Sequence, residues 1–171
     1  MTKTGRTLAL VRHAKSSWDE PDRRDFDRPL NDRGQRTAPE MGQRLLTRGQ
    51  CPDRLYCSSA RRAWDTALIL ARAVGYPEAD IEPEPELYLA DQNRLIERIR
   101  RFPADAGEVW LVGHNPDLSE LANQLAGFHR TNLPTCAIFR MQFDCASWAS
   151  IEPGSARLLE FDTPKQPWDV T

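Results

Sequence analysis

Short apolar segments alternate with amphipathic segments along most of this chain. The apolar segments have the length of buried strands, and the segments between them place apolar residues three and four positions apart, as one face of a helix requires. Strands that alternate with helices pair in parallel through right-handed crossovers, with helices covering the sheet. The pattern therefore predicts an α/β fold, a three-layer helix–sheet–helix sandwich with a mostly parallel central sheet.

The boundaries of these elements follow from the apolar periodicity and from the residues that start and stop helices. The predicted strands cover residues 8–11, 54–57, 109–112, 137–143 and 157–161. The predicted helices start at Asn31, at an N-cap formed by Ser58 or Ser59, before Leu95 and at Pro116. Two segments show no periodicity and are predicted as loops, a charged one from Trp18 to Leu30 and one rich in Pro and Glu from Ile81 to Glu86.

The domain organisation follows from length and continuity. The chain has 171 residues and shows neither an internal repeat nor a linker. One domain usually has roughly 100–200 residues, so we expect a single domain over residues 1–171. The last residues, 163–171, contain two prolines and are expected to form a tail on the surface.

Charge and composition exclude several classes of partner. The chain has 23 Lys and Arg against 25 Asp and Glu, a net charge of −2, which gives no general attraction to nucleic acid or to an anionic membrane. No apolar stretch approaches the roughly 18 residues of a membrane span, and no signal peptide precedes the first strand. Four scattered cysteines and three histidines lack metal-ligand spacing. We expect a cytoplasmic protein with no metal.

Chemically reactive residues follow three of the predicted strands. Arg12 and His13 follow the first strand, Arg61 and Arg62 come shortly after the second, and His114 follows the strand over 109–112. In open α/β sheets the ligand site lies at the carboxyl ends of the strands. Two imidazoles and at least two of these guanidiniums gathered there would be unfavourable without an anion between them, and guanidinium groups match phosphoryl oxygens in bidentate fashion. The sequence thus predicts a phosphoryl-binding site.

Four segments resemble, in order, the motifs of the histidine phosphatase superfamily, which includes the cofactor-dependent phosphoglycerate mutases. They are the Arg-His segment 10–16, the helix start 30–34, the Ser-x-x-x-Arg-Ala-x-x-Thr segment 58–66 and the second-histidine segment 111–115. The resemblance covers the chain from the first strand past His114. The short length and the Pro85-Glu86-Leu87 stretch look most like the single-domain SixA-type phosphohistidine phosphatases.

This resemblance implies roles for individual residues. His13 would be the nucleophile that takes the phosphoryl group, Arg12 and Arg62 would bind its oxygens, and His114 would donate a hydrogen bond to them. Ser16 would contact phosphate as a family hydroxyl often does, and the alternative for it is a solvated loop serine. No Mg²⁺ or other cofactor is needed, because arginine and histidine already supply the positive charge.

Two positions near the motifs need a choice or a check. Arg62 is preferred to Arg61 as the phosphoryl ligand, because it precedes Ala63 and lies four residues before Thr66, as in the family motif. Ala14 stands where the family usually has Gly, so we expect a backbone angle there that Ala tolerates. Trp18 follows the first strand closely and is a candidate for one wall of the site.

The general acid is less well defined. Family members commonly use a carboxylate, and Glu86 lies in the corresponding stretch. The sequence leaves open whether Glu86 has this role or whether Glu82, Glu84 and Glu86 form a solvated acidic loop. Asp117 is expected to be a first-turn helix residue, favoured by the helix dipole.

The function implied by these residues is hydrolysis of a phosphoryl group through a covalent phosphohistidine intermediate. A phosphohistidine substrate has an imidazole leaving group that needs less help from an acid, so we expect the enzyme to act on phosphohistidine in proteins. We also expect a shallow, open pocket. Two alternatives remain, a small-molecule phosphomonoesterase of the same mechanism and a non-catalytic phosphate-binding module.

Overall fold

One six-stranded sheet forms the centre of the structure, a computed structural model that describes residues 4–129 and 132–168. The strands are β1 (Arg6–Arg12), β2 (Arg54–Cys57), β3 (Glu82–Pro83), β4 (Glu108–Gly113), β5 (Ile138–Phe143) and β6 (Ala156–Asp162). Their order is β3-β2-β4-β1-β5-β6. The first four strands of this order pair in parallel, and β5 and β6 add an antiparallel edge. The predicted mostly parallel sheet is confirmed.

Four α-helices cover this sheet. They are α1 (Asp32–Thr47), α2 (Arg61–Val74), α3 (Gln92–Arg100) and α4 (Asp117–Ala126). Short 3-10 turns occupy Asp25–Asp27, Glu78–Asp80, Pro85–Leu87 and Trp148–Ser150. None of the helices in the part of the chain that the structure describes is long and apolar enough to cross a membrane.

The two faces of the sheet carry separate cores. In β1, Leu8 and Leu10 pack in one core with residues of α3 and α4, whereas Ala9 and Val11 pack in the other with residues of α1 and α2. All four β1 side chains are fully buried. Burial on both faces is what a continuous apolar strand predicts, and it makes the three layers of the sandwich.

Strand β3 lies in the segment predicted as a loop. It pairs with β2 through only two residues, Tyr56 with Glu82 and Cys57 with Pro83. Because it is exposed and contains a proline, it has neither the apolar pattern nor the β propensity that marks a strand in sequence. Proline is tolerated there because β3 is an edge strand.

The predicted tail begins by packing on α1. Arg44 donates hydrogen bonds to the carbonyl oxygens of Thr163 and Pro164, at 2.9 and 3.2 Å, and Arg48 donates to that of Trp168 at 3.1 Å. Thr163 is itself buried. The first part of the tail is therefore fixed along the helix, and residues 169–171 lie outside the described residues.

The start of α1 packs closely against the loop that follows β1. Asn31 caps the helix by accepting a hydrogen bond from the Gly34 amide at 2.9 Å, and its own amide donates to the Lys15 carbonyl oxygen at 2.9 Å. A Cβ added at Gly34 would lie 2.2 Å from that same oxygen. Glycine is thus required where the helix meets the loop that contains His13.

Replacing Gly34 by Ala tests this contact. In an unhindered helix the change stabilises by roughly 0.5–1 kcal/mol, but here the Cβ must displace backbone, so we expect the free energy of unfolding to fall by about 1–3 kcal/mol. Urea denaturation measures it. Gly107→Ala, just before β4, is a control for adding a methyl group without a backbone clash, because its Cβ would have Asp53 Oδ2 as nearest neighbour at 3.4 Å. A stabilised Gly34→Ala protein would contradict the prediction.

Candidate active site

The carboxyl ends of β1, β2 and β4 bring the predicted side chains together. His13 follows β1, Arg62 lies in the first turn of α2, and His114 follows β4. Nε of Arg62 is 3.3 Å from Nε2 of His13, and the centroids of the two imidazole rings are 5.1 Å apart. His13, Arg62 and His114 are each less than a tenth exposed. Arg12, the last residue of β1, is close enough to lower the pKa of both histidines.

The ring of His13 has a defined orientation and tautomer. Nδ1 lies 2.7 Å from the carbonyl oxygen of Ala14 and donates to it, because a carbonyl only accepts. The proton is therefore on Nδ1, and Nε2 keeps its lone pair and faces Arg62. The backbone of His13 is fixed on both sides, since its amide donates to Gly113 and its carbonyl accepts from Cys136.

Burial keeps both imidazoles uncharged. It is the largest cause that lowers the pKa of His13 to about 3; the Ala14 hydrogen bond opposes it, and the charges of His114, Arg62 and Arg12 add to it. Burial followed by Arg62 lowers the pKa of His114 to about 4, against the opposing charge of Asp25. Desolvation contributes more to keeping His13 neutral than the neighbouring arginines do.

His114 presents an unpaired donor at the site. Its Nε2 is 2.8 Å from Oγ of Ser58, which also accepts from the Ala60 amide at 3.3 Å. His114 Nε2 is the acceptor within reach of the Ser58 hydroxyl among the described residues, and when the hydroxyl donates to it the imidazole proton is on Nδ1. None of the described residues accepts a hydrogen bond from this buried Nδ1 or from the buried Nε of Arg12. Buried donors are normally satisfied, and an oxyanion between these groups would satisfy both.

Ser58 has a different role from the one that its residue type suggests. The predicted N-cap at Ser58 or Ser59 is wrong, because α2 begins after Ala60 and has no side-chain cap. Ser58 is fully buried and contacts His114 instead. Its hydroxyl thus combines a local contact with the Ala60 amide and a tertiary hydrogen bond to the site.

Thr66 connects α2 to the loop of the predicted nucleophile. Its hydroxyl donates to the Arg62 carbonyl oxygen at 2.7 Å and accepts from the Ala14 amide at 3.0 Å. Ala14 does not have a positive φ, so the alanine is accommodated without strain. Arg61, by contrast, is exposed and lies 3.6 Å from Asp65, on the outer side of the helix.

Asp25, in the charged loop, is a site residue that the sequence analysis missed. Its carbonyl oxygen and its Oδ2 accept hydrogen bonds from Arg62 at 2.6 and 3.0 Å. Oδ2 also accepts from the Tyr88 hydroxyl at 3.0 Å, and Oδ1 accepts from Arg28 at 2.9 Å. Burial alone would raise the pKa of Asp25, but the hydrogen bonds from Arg28, Tyr88 and Arg62 lower it to about 2. No periodic pattern marks such a residue in sequence.

Two aromatic rings cover the site. Tyr88 packs edge-on against His114, with centroids 5.4 Å apart, and Phe26 packs edge-on against Tyr88 at 5.3 Å. The charged loop and Tyr88 lie against Arg62 and His114, and both of these residues are buried. The shallow, open pocket stays a prediction. Trp18 is not part of this cover, since it is 71% exposed and stacks on the Arg28 guanidinium.

Ser16 and Glu86 lie near the cluster without a demonstrated role. Ser16 is buried, and its Oγ accepts a hydrogen bond from Arg28. Glu86 is half-buried in the turn that precedes Tyr88, and its carboxylate has no hydrogen bond or ion pair within residues 4–129 and 132–168. The solvated acidic loop is wrong for Glu84, which is buried and paired with Arg98 at 2.5 Å.

The sheet order and the covering helices define a phosphoglycerate mutase-like α/β fold. Residues 8–91 match the family model described as the histidine phosphatase superfamily, branch 1. The chain belongs to this superfamily, as its four motifs predict.

Relatives and solved structures agree with this assignment. An uncharacterized protein of Mycobacterium tuberculosis is 34% identical over 166 residues, which cover 91% of this chain and 100% of that protein. A structure from Agrobacterium tumefaciens, provisionally named phosphohistidine phosphatase SixA, is 27% identical with a TM-score of 0.77, covering 93% of this chain and 98% of that one. A protein histidine phosphatase SixA complexed with tungstate shares the fold at a TM-score of 0.80 and 20% identity, over 93% and 97% of the two chains.

The titration of the two histidines can be measured directly. Because their pKa values are lowered to about 3 and about 4 from 6.5, we expect both rings to stay neutral from pH 8 to pH 5. Between each of these lowered pKa values and 6.5, the unfolded chain binds the proton and the folded chain does not. The free energy of unfolding therefore falls as the pH falls below about 6.5. NMR of the imidazole resonances, assigned with His13→Gln and His114→Gln, gives the midpoints. A midpoint near pH 6.5 for either ring would show that burial does not control it.

Proposed function

We propose that this protein is a phosphatase that transfers a phosphoryl group to Nε2 of His13 and then hydrolyses the phosphohistidine. The observation that carries the proposal is a neutral imidazole whose lone pair faces Arg62, beside two buried donors that lack partners. Such donors stabilise the charge that develops on the phosphoryl oxygens in the transition state.

The first step follows from the geometry of His13. The lone pair on Nε2 forms a bond to phosphorus while the bond from phosphorus to the leaving atom breaks and its electron pair departs with that atom. Nδ1 keeps its proton, which stays hydrogen-bonded to the Ala14 carbonyl oxygen. The phosphorylated ring is therefore cationic, and the hydrogen bond becomes stronger. Arg12, Arg62 and His114 donate to the three equatorial oxygens.

The second step regenerates the same state. Water attacks phosphorus, the bond to Nε2 breaks, and its electron pair returns to the ring, which is again neutral. Phosphate leaves with the oxygen and the protons of the water. No proton has to move to or from His13 in either step, which suits a ring whose pKa burial has lowered to about 3.

We propose phosphohistidine in proteins as the substrate. The ionised Asp25 is no proton donor, and Glu86 is the candidate acid in this region, which favours a leaving group that needs little acid catalysis. The similar SixA structures have names that indicate the same class of substrate.

Trapping of the intermediate tests the proposal. We expect ³²P from a phosphorylated histidine-containing carrier protein to appear on the wild-type chain and to be absent from His13→Ala. Binding of tungstate without any labelling would mean a phosphate-binding module. A strong preference for sugar or nucleotide phosphates over the carrier protein would mean a small-molecule phosphomonoesterase.

Two adjacent arginines provide a matched pair of variants. Arg62→Gln removes the guanidinium that contacts His13, and by comparison with arginine fingers we expect kcat/KM to fall on the order of 10³-fold. Arg61→Gln changes an exposed residue of the same helical turn and should leave kcat/KM within about twofold, as expected for a weak surface ion pair. Equal losses in the two variants would contradict the assignment of Arg62.

A further inference from the structure

We propose that Asp25 selects the leaving group, by accepting a hydrogen bond from the N–H of a departing imidazole. This inference rests on the proposed function and assigns a substrate-contacting residue to it. The side chain would favour phosphoryl donors that leave as an N–H heterocycle over those that leave as an oxyanion.

Asp25 lies close to His13, because both residues contact Arg62. A single guanidinium spans the two residues, because Arg62 uses Nε for His13 and Nη1 and Nη2 for Asp25. A phosphoryl group attacked by Nε2 of His13 releases its leaving group on the opposite, outward side. The Asp25 side chain is half exposed, whereas His13 is buried, so of the two residues joined by Arg62 Asp25 is the one nearer to solvent.

The carboxylate has room for one more donor. An ionised carboxylate offers about four lone-pair positions. Arg28 occupies one on Oδ1, and Arg62 and Tyr88 occupy two on Oδ2. The remaining position on Oδ1 is open to a substrate, because half of the side chain is exposed.

The charge of Asp25 decides which substrate benefits. Arg28, Tyr88 and Arg62 donate hydrogen bonds to it and keep its pKa low, at about 2, and His114 faces it at longer range. An anion at the mouth of the site repels a departing alkoxide or an anionic substituent beside it. The same anion favours the protonated form of a phosphoimidazole ring and accepts a hydrogen bond from its free N–H.

The reaction balances without a separate acid. In a phosphoimidazole whose second nitrogen is protonated, the lone pair of His13 forms the new bond to phosphorus and the old P–N pair returns to the substrate ring. The ring leaves as neutral imidazole and retains its proton, which Asp25 has bound throughout. An alkoxide has no such proton and depends on a general acid.

The test compares two substrates in two variants. N-phosphoimidazole leaves as an N–H heterocycle, and p-nitrophenyl phosphate leaves as an oxyanion. For Asp25→Asn we expect kcat/KM for N-phosphoimidazole to fall by about 10- to 100-fold, as for loss of a hydrogen bond to a charged group, and kcat/KM for the ester to fall by much less. Asp27→Asn is the matched control, because Asp27 lies on the same short turn and pairs with the exposed Arg24; both rates should stay unchanged.

A loss of equal size on both substrates would overturn the proposal and leave Asp25 as a residue that only positions Arg62. Unchanged rates on both would overturn it equally. If Asp25→Asn fails to fold, a modified substrate tests the same hydrogen bond with the wild-type protein. The 1-methyl-3-phosphoimidazolium ion has the same leaving-group charge but no N–H, so wild-type protein should turn it over at least tenfold more slowly than N-phosphoimidazole. If Asp25→Asn gives equal losses or unchanged rates but His13 is still labelled by ³²P, the proposed function stands while this inference fails.

Discussion

The proposed chemistry depends on one hydrogen bond, from Nδ1 of His13 to the carbonyl oxygen of Ala14. It fixes the proton on one ring nitrogen and leaves a lone pair on the other. The bond is 2.7 Å long, and backbone contacts to Gly113 and Cys136 hold the segment on both sides. The three-layer sandwich therefore supplies a rigid end of β1, on which the ring direction depends.

Burial is a better way to keep this ring neutral than neighbouring positive charge. If the arginines alone lowered the pKa of His13, a bound phosphoryl group would neutralise them and raise that pKa at the moment of attack. Desolvation does not disappear when the substrate binds, and it is the largest cause here. Arg12 and Arg62 are thus free to bind oxygens, while the buried position of His13 controls its protonation.

Much of this arrangement can be predicted from the sequence, because continuous apolar runs such as 8–11 and 109–112 indicate buried parallel strands. Ligand sites in such sheets lie at the carboxyl ends of the strands, which is where the reactive residues are found. Asp25 was not predicted, because hydrogen bonds between residues that are distant in sequence leave no periodic pattern in it. Ser58 was misassigned because its type suits a local cap, whereas its contact with His114 is tertiary. Strand β3 was missed because two exposed residues carry no hydrophobic signal. Local patterns predict elements, and contacts between distant loops require the fold.

The carboxylate of Asp25 also bears on how the site returns to its free state. Arg62 donates both Nη groups to Asp25 in the structure, so the guanidinium is satisfied when no phosphoryl group is present. A buried cation without a partner would be costly. The negative charge of Asp25 beside Arg62 repels product phosphate, which weakens phosphate binding relative to a site of arginines alone. For a two-step hydrolysis that ends in release of phosphate, a nearby carboxylate therefore favours turnover over product retention.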